Sequence, residues 1–281
     1  MNYTFTKMQG LGNDFVVFDN MGTQDGIKLS PELALQLCDR RFGIGADGVF
    51  TLHVAEDKTV ADIYWDFYNS DGSVAEMCGN AVRCVARYVF EKGLWPTESD
   101  SSYGELRIET LAGVKSIGLK LDDAGNFSGA RVDMGIAEID TDVELGGRTY
   151  SRVSMGNPHA VTFVDVLPSE FGTAPVSTEG PDIEVDPMFP NKTNVEYAVV
   201  ESSDRIRMRV WERGAGETLA CGTGACATAV AAKLKGLVGE VVTLELLGGS
   251  LLIEVDSDNR VFKAGPATEV FTGTIEIPVS C

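Results

Sequence analysis

Two short segments place a cysteine and a glycine at the predicted start of an apolar helix. They are Cys78-Gly79-Asn80 and Cys221-Gly222-Thr223, and their cysteines lie 143 positions apart. Asparagine or threonine at a helix start can cap the first turn, and the N–H groups left free there attract anions. The same position favours the thiolate form of a cysteine. The two segments predict one site with a thiol from each half of the chain.

Paired thiols of this kind can invert a carbon centre next to a carboxylate. One thiolate removes the hydrogen from one face of the carbon, and a thiol returns a proton to the opposite face. Charge builds on the carboxylate oxygens, where the N–H groups of two helix starts would stabilise it. Gly79 and Gly222 allow the backbone to approach a ligand closely.

Each candidate residue also has an ordinary structural explanation. A lone cysteine before glycine is more often a small buried apolar side chain. His159, which follows Asn157-Pro158 in a predicted turn, has the character of a satisfied core histidine as well as of a site residue. Asn13 can simply cap a turn, and Glu212-Arg213 can be a surface ion pair. The cysteines expected inside helices, and so in the core, are Cys84 and Cys226.

Composition restricts the class of protein. The 281 residues suffice for one large or two medium domains, and the net charge of −19 argues against nucleic-acid binding. The sequence contains no apolar run long enough for a membrane span, and its start lacks the form of a signal peptide. Six cysteines without an export signal indicate reduced thiols in a cytoplasm. The absence of CxxC spacing and the presence of only two histidines argue against a metal site.

The two halves of the chain match in order at a nearly constant offset. The matched pairs are Cys78 with Cys221, Asn13 with Asn157, Asn69 with Glu212, and Gly93 with Gly236. Ordered matches at one spacing are the signature of an internal repeat. We therefore predict domains over residues 1–124 and 125–270, with 271–281 as a candidate for pairing back onto the first domain. The active site is expected in the cleft between the domains.

The predicted architecture is an α+β fold of two pseudo-symmetric domains, each a mixed β-barrel-like sheet around a central helix. Residues 81–92 and 225–235 are apolar around most of their helical circumference, which is typical of helices buried on all sides. Ser30 and Pro31 predict the start of a peripheral helix. Residues 168–190, which are rich in proline, are expected to form a long loop.

The sequence resembles the diaminopimelate epimerase family nearly from end to end. The motifs that carry this resemblance are Gly10-Leu11-Gly12-Asn13-Asp14-Phe15, Arg41-Phe42-Gly43-Ile44-Gly45-Ala46-Asp47-Gly48, Phe67-Tyr68-Asn69-Ser70-Asp71-Gly72, Met77-Cys78-Gly79-Asn80, Met155-Gly156-Asn157-Pro158-His159, Thr193-Asn194-Val195, and Trp211-Glu212-Arg213-Gly214-Ala215-Gly216-Glu217-Thr218 leading into Cys221-Gly222-Thr223-Gly224. The last motif is the most specific. The resemblance implies a homodimer that interconverts the LL and meso isomers of 2,6-diaminopimelate, for lysine and peptidoglycan precursors, without pyridoxal phosphate or any other cofactor.

The resemblance also implies a role for each matching residue. Cys78 and Cys221 would be the acid/base pair, and His159 and Glu212 would influence their ionisation. The implied substrate-binding residues are Asn13, Asn69, Gly79, Asn80, Asn157, Asn194, Glu212, Arg213, Gly222 and Thr223. The sequence departs from the family pattern at Gly48, where many members carry glutamine, and at Phe271, where some carry tyrosine near the dimer contact.

Three other functions compete with this interpretation. The first is another amino- or imino-acid racemase on the same scaffold, of the proline racemase kind, although Arg213 with Asn69 and Asn194 favours a substrate with a second polar end. The second is a thiol redox enzyme, which would need a resolving cysteine. The third is a non-catalytic anion-binding protein.

Overall fold

The computed structural model describes residues 1–23, 25–96 and 104–277. The elements of the first part of the chain are β1 (Asn2–Gly10), β2 (Asn13–Asp19), α1 (Pro31–Cys38), β3 (Gly48–Val54), β4 (Ile63–Asn69), α2 (Gly79–Glu91), β5 (Leu106–Thr110), β6 (Gly113–Leu121) and β7 (Phe127–Ile136).

The remaining elements follow in chain order. They are β8 (Glu138–Ile139), β9 (Val143–Leu145), β10 (Arg148–Ser154), β11 (Pro158–Phe163), α3 (Val176–Glu184), β12 (Asn194–Ser202), β13 (Arg205–Glu212), β14 (Gly216–Thr218), α4 (Gly222–Leu234), β15 (Val241–Leu246), β16 (Gly249–Val255), β17 (Arg260–Gly265) and β18 (Thr268–Glu276). With its many strands and few helices, the protein has the sheet-dominated α+β fold expected from the sequence.

The chain divides into two compact units. The first comprises Met1–Val132 together with the segment from Pro266 onward, and the second comprises Asp133–Gly265. The division therefore falls inside β7, eight residues after the boundary placed at residue 124 from the sequence. The end of the chain returns to the first unit through β18, while residues 278–281 lie outside the described part of the chain.

The first unit contains a mixed sheet. Its antiparallel pairs are β1–β2, β3–β4, β5–β6 and β6–β7, and its parallel pairs are β2–β3 and β4–β5. β18 pairs antiparallel with β1, so that Asn2 lies opposite Glu276. Helix α2 packs against β1, β2 and β18. Four aromatic rings form part of the core: Phe15, Phe50, Trp65 and Phe67.

The second unit is also a mixed sheet, and α4 lies against six of its strands. The antiparallel pairs are β10–β11, β12–β13, β15–β16 and β16–β17, and the parallel pairs are β11–β12 and β13–β15. Helix α4 packs against β10, β11, β12, β15, β16 and β17. Its buried residues are mostly alanines, which allow the strands to approach the helix axis closely. The small side chains thus explain how a helix can be enclosed on most sides.

Three predictions about helices have definite outcomes. Ser30 caps α1 as expected, because its side-chain oxygen accepts a hydrogen bond from the N–H group of Leu33 at 3.2 Å. The buried helices begin earlier than predicted, at Gly79 and Gly222. The long loop predicted over residues 168–190 is wrong, because it contains α3.

The sequence did not predict helix α3 because Pro181 lies inside it. Proline in a helix interior normally breaks the hydrogen-bond ladder. Here the apolar Val176 and Ile183, seven positions apart, are both buried in the core of the second unit. Burial of that face outweighs the unfavourable propensity of the segment. Within the described residues, no helix has the length and apolarity that crossing a membrane would require.

The close contact at Gly43 gives a test of the first unit's packing. A Cβ atom at this position would lie 1.9 Å from the backbone oxygen of Gln36 in α1. We expect Gly43→Ala to lower the free energy of unfolding by about 1–3 kcal/mol or more, because backbone must shift to admit the methyl group. Urea denaturation followed by tryptophan fluorescence measures the change.

The matched control for this variant is Gly22→Ala, because nothing lies within 4 Å of a Cβ atom built there. Gly22→Ala should leave the unfolding midpoint close to that of the parent chain. Equal midpoints for the two variants would contradict the packing described around α1.

Candidate active site

Cys78 stands at the N-cap of α2 in an extended conformation, with φ −137° and ψ 113°. Its carbonyl oxygen accepts the first helical hydrogen bond, from the N–H group of Val82. Its side chain makes no capping hydrogen bond. Asn80 lies inside the helix rather than at its cap, so the capping role suggested by the sequence is wrong. The first N–H groups of α2 are therefore oriented outward at a half-exposed thiol.

Asn13 lies beside the Cys78 thiol. Its side-chain oxygen is 3.8 Å from Sγ of Cys78 and accepts a hydrogen bond from Nδ2 of Asn80 at 3.2 Å. Its own Nδ2 donates to Asp47 at 2.7 Å. Asn13 follows a tight β1–β2 turn in which Leu11 and Gly12 have positive φ values. The amide is thus fixed from both ends.

Asp47, which accepts the hydrogen bond from Asn13, belongs to a network of charged side chains. Arg40 binds both carboxylate oxygens of Asp14, at 3.0 and 2.7 Å, and also reaches Asp47 at 2.8 Å. Lys7 is paired with Asp14 at 2.7 Å. Burial by itself raises the pKa of Asp14, but the hydrogen bonds from Arg40 and Lys7 outweigh burial and hold it well below its usual range. Asp14 therefore stays ionised and keeps the network in place.

Asn69 and Gly48 lie opposite each other where β3 and β4 pair. The Asn69 amide donates to Oγ of Ser73 at 3.0 Å. A Cβ atom at Gly48 would lie 2.6 Å from the ring of Phe67 and 3.0 Å from the backbone oxygen of Tyr68. The glycine at this position, one of the two departures from the family pattern, therefore fits the aromatic packing beneath it.

Cys221 occupies the N-cap of α4, with φ −118° and ψ 112° and again no side-chain cap. It is buried, and its Sγ lies 3.6 Å from Oγ1 of Thr223. Burial raises the pKa of the Cys221 thiol well above its ordinary value, and the carboxylates of Glu212 and Glu196 raise it further. Thr223, like Asn80, lies within the first helical turn and is not the cap, contrary to the sequence-based expectation.

His159 is buried in strand β11 and not in the predicted turn. Its Nδ1 lies 2.7 Å from Oε1 of Glu196, and its Nε2 lies 3.1 Å from Oδ1 of Asn157. The Asn157 amide in turn donates to Oγ1 of Thr223 at 3.4 Å. His159 is therefore connected to the Cys221 region through Asn157 and Thr223.

Glu212 is the last residue of β13 and Arg213 follows it, and the two side chains do not form the surface ion pair considered from the sequence. Glu212 accepts a hydrogen bond from the Thr218 hydroxyl. The Arg213 guanidinium donates to the backbone oxygen of Asn191 at 3.1 Å, and its backbone N–H donates to Oδ1 of Asn194 at 3.0 Å. Asn194 is buried and also donates to the backbone oxygen of Pro158 at 2.9 Å. The Asn194 side chain thus connects the backbone of Arg213 to the start of β11.

A cavity of about 850 Å³ opens in the second unit beside these residues. Its polar lining includes Asn157, His159, Asn191, Lys192, Arg152 and Arg213. Its size suits a small-molecule ligand. The lining also includes Glu138 and Asp140, and Arg152 and Lys192 are paired with Asp140 and Glu184 at 2.7 and 3.3 Å. Arg213, whose guanidinium has no carboxylate partner among the described residues, is therefore the cation of the lining that favours an anionic group on the ligand.

The geometry groups most of the predicted site residues within each unit. In the first unit, Cys78, Gly79, Asn80 and Asn13 lie together at the start of α2. In the second unit, Cys221, Gly222, Thr223, Asn157 and His159 form a connected group at the start of α4, with Glu212 close enough to influence the thiol. Each helix start can hold an anion beside a sulfur that exchanges protons.

Sequence reasoning missed three supporting residues: Glu196, Asp47 and Glu184. Glu196 was detectable as the one charged residue within the otherwise apolar stretch of β12, residues 195–200. Glu184 accepts hydrogen bonds from Trp211 Nε1 at 2.8 Å and from the Gly214 N–H group at 3.0 Å, on either side of Glu212-Arg213. It lies in the helix that was mistaken for a loop, which is why no sequence signal singled it out.

Comparison with known proteins agrees with this geometry. The family model described as diaminopimelate epimerase matches residues 5–139 and 151–270. A diaminopimelate epimerase of Moorella thermoacetica is 46% identical over 96% of this chain and 98% of its own length. Those of Pelotomaculum thermopropionicum and Leptospira biflexa are 44% and 42% identical, again over nearly the whole length of both chains.

Solved structures give the fold independently. A phenazine biosynthesis protein of the PhzF family from Bacillus anthracis superposes with a TM-score of 0.71 at 15% identity, covering 99% of this chain and 100% of its own. A hydroxyproline epimerase from Agrobacterium vitis superposes with a TM-score of 0.69 at 15% identity, covering 98% and 92%. These two likenesses concern the fold alone. The family match and the curated relatives, which extend over nearly the whole sequence, establish that this chain belongs to the diaminopimelate epimerase family.

Proposed function

We propose that this chain interconverts LL- and meso-2,6-diaminopimelate with Cys78 and Cys221 as its two acid/base groups. The chain is an epimerase, and hence an isomerase, by family. One observation carries the proposal. Cys78 and Cys221 are the N-cap residues of α2 and α4, and neither side chain makes a capping hydrogen bond to the first N–H groups of its helix. A thiol beside free N–H groups is suited to reversible proton exchange at a carbon next to a carboxylate.

In the proposed reaction, one cysteine acts as thiolate and the other as thiol. The thiolate takes the α-hydrogen as a proton, and the electron pair of the broken C–H bond moves into the α-carboxylate. The thiol then gives its proton to the opposite face of the carbon, which reforms the C–H bond with inverted configuration. The two cysteines have exchanged protonation states, so the reaction is redox-neutral and requires no external electron acceptor.

The substrate-binding roles follow from the same proposal. Backbone N–H groups of Gly79, Asn80, Gly222 and Thr223 would hold the reacting carboxylate. Asn13 and Asn157 would contact the bound substrate, while Asn69, Asn194 and Arg213 would define the distal end. Support for the last role comes from the cavity that Arg213 lines, where its guanidinium has no carboxylate partner among the described residues and can bind the second carboxylate.

His159 and Glu212 would influence the ionisation of the thiols. Glu212 has a direct electrostatic effect, since its charge raises the pKa of Cys221 after the larger effect of burial. His159 would act through Asn157 and Thr223, which connect it to the Cys221 sulfur by hydrogen-bond distances of 3.1, 3.4 and 3.6 Å.

Several wider inferences accompany this function. We infer that the two units arose by duplication, which is supported by the shared order of antiparallel and parallel pairs in each unit and by the two helices of 13 residues. We further propose a cytoplasmic, cofactor-independent homodimer in lysine and peptidoglycan precursor synthesis. Exposed Val270 and Phe271 on β18 support an apolar contact between copies.

The decisive test is solvent-hydrogen exchange. LL-diaminopimelate incubated in D₂O with the purified chain and no added cofactor should acquire deuterium at one α-carbon as the meso isomer forms. NMR spectroscopy follows both events. Proline incubated in parallel should acquire none, because it has no second carboxylate for Arg213. Exchange into proline but not into diaminopimelate would favour the proline racemase-like alternative.

The two-thiol mechanism makes a prediction for single cysteine variants. Cys78→Ala and Cys221→Ala should each reduce epimerisation below detection while circular dichroism remains unchanged, because one thiol cannot serve both faces of the carbon. A coupled assay for meso-diaminopimelate measures the loss.

The matched control for these variants is Cys84→Ala in the same helix as Cys78. Cys84 is fully buried in the interior of α2, away from the free N–H groups at the helix start, so it has no place in the proposed reaction. It should keep the parent activity. Near-normal epimerisation by either active-site variant would refute the two-thiol mechanism.

Arg213 provides a test of substrate selectivity. Arg213→Lys should lower kcat/KM for diaminopimelate about tenfold to hundredfold, since lysine loses the planar two-donor contact with a carboxylate. Initial-rate kinetics on the LL isomer measure the change. Arg205→Lys, at the exposed start of the strand that Arg213 follows and paired with Glu245, is the control and should behave as the parent chain. Unchanged kinetics in Arg213→Lys would remove this residue from the site.

The environment of Cys221 predicts its pH dependence. Burial and the carboxylates of Glu212 and Glu196 disfavour the thiolate, so alkylation of Cys221 by iodoacetamide should rise only at a pH above the ordinary thiol range. Glu212→Gln removes one negative charge, so it lowers the pKa and should move the alkylation profile to lower pH. Peptide mapping by mass spectrometry identifies the cysteine. Glu201→Gln, whose exposed carboxylate lies on β12, should leave the profile in place.

A further inference from the structure

Glu196 is a buried acidic residue to which the proposed reaction assigns no role. Its side chain and that of His159 are both fully shielded from solvent, and the two meet at 2.7 Å. Only one carboxylate oxygen has this contact, because Oε2 of Glu196 has no hydrogen-bond partner among the described residues. Burial raises the pKa of Glu196, and the neighbouring His159 opposes this effect.

A buried carboxylate with one unsatisfied oxygen is unfavourable for the stability of the fold. A buried carboxylate loses its hydration, and the attraction of one partner regains this loss only when the remaining lone pairs are also satisfied. Replacing both members of such a pair by well-packed apolar side chains is often neutral or stabilising. The energetic contribution of the Glu196–His159 pair to folding therefore does not explain the residue.

The first turn of α4 is shaped around this carboxylate. A Cβ atom at Gly224 would lie 2.5 Å from Oε1 of Glu196 and 3.3 Å from Cβ of Cys221. Only a residue without a side chain admits the carboxylate at this point. Gly224 thus allows the Glu196 carboxylate to lie against the first turn of α4, next to Cys221.

His159 is held at both ring nitrogens. Oε1 of Glu196 lies at Nδ1 and Oδ1 of Asn157 lies at Nε2, so the ring cannot rotate without losing one of these contacts. From Asn157 the contacts continue to Thr223 and to the sulfur of Cys221. The orientation of each member depends on the one before it, and Glu196 lies at the fixed end of the series.

We propose that Glu196 is a positioning residue that fixes the orientation and hydrogen bonding of His159, and through it the Asn157–Thr223 contact at Cys221. The proposal rests on the epimerase function proposed above. Glu196 touches neither substrate nor sulfur in this role. It acts as an outer partner of the kind that orients a histidine in other sites.

The test uses Glu196→Leu and, as the conservative variant, Glu196→Gln in the full-length chain. Glu196→Leu removes the partner of Nδ1 and should lower kcat about tenfold to hundredfold while KM changes by less than about threefold. Glu196→Gln retains a hydrogen-bonding group and should recover a clear part of that loss. Glu196→Leu should lower the urea midpoint, because it leaves Nδ1 of the buried His159 without a partner, whereas Glu196→Gln keeps a hydrogen-bonding group there and should lower it less.

A spectroscopic measurement separates positioning from a structural effect. The chain has two histidines, so ¹⁵N-histidine labelling gives signals from His53 and His159 only. In the parent chain and in Glu196→Gln, the ring nitrogens of His159 should report one fixed pattern of hydrogen bonding. In Glu196→Leu they should report an averaged mixture of tautomers. His53, which contacts Thr51 and Asp66, is the internal reference and should not change.

Different results would overturn the proposal for Glu196 and the proposed epimerase function. A Glu196→Leu variant with parental kcat, or with lowered kcat but parental His159 signals, overturns the proposal. If Glu196→Leu does not fold, Glu196→Met replaces it, and failure of both to fold would assign Glu196 a structural role and overturn the proposal as well. Absence of epimerisation in the parent chain would instead reject the proposed function, which the same assay detects separately.

Discussion

The site depends on two helices whose first N–H groups have no side-chain partner. Helix α1 shows the usual solution, in which the Ser30 hydroxyl accepts a hydrogen bond from its first turn. Helices α2 and α4 begin instead at Cys78 and Cys221, and neither thiol makes such a bond. An ordinary cap contributes about 1 kcal/mol, so the chain gives up stability at both places. The donors left free are what an anionic substrate group can bind.

The two thiols have different surroundings despite their equivalent positions. Near Cys78 stands an amide, Asn13, whose supporting carboxylates are neutralised by Arg40 and Lys7. Near Cys221 stand the carboxylates of Glu212 and Glu196, which add to the effect of burial. A symmetric pair of helix starts is thus combined with asymmetric electrostatics. This combination suits a reaction whose two directions begin from different isomers.

The sequence predicts the elements that local residue patterns determine. Cys-Gly before an alanine-rich run identifies both buried helices, although glycine in the first turn hides their true start at Gly79 and Gly222. The sequence marks Glu196 as a charged residue in an apolar strand but does not reveal its partner, because His159 is 37 positions away and the two meet only when β11 and β12 pair. Helix α3 is missed for a related reason: burial of Val176 and Ile183 overrides the signal of Pro181.

The pairing of β1 with β18 has a consequence for synthesis of the chain. All strands of the second unit lie within one continuous segment, Asp133–Gly265, so this unit can be completed as soon as that segment has left the ribosome. The first unit is begun earlier, but the edge of β1 stays open until Thr268–Glu276 emerges. An open edge is a template for wrong strand pairing. The part of the chain that is made first is therefore the last to be closed, and it is the part that depends on protection during translation.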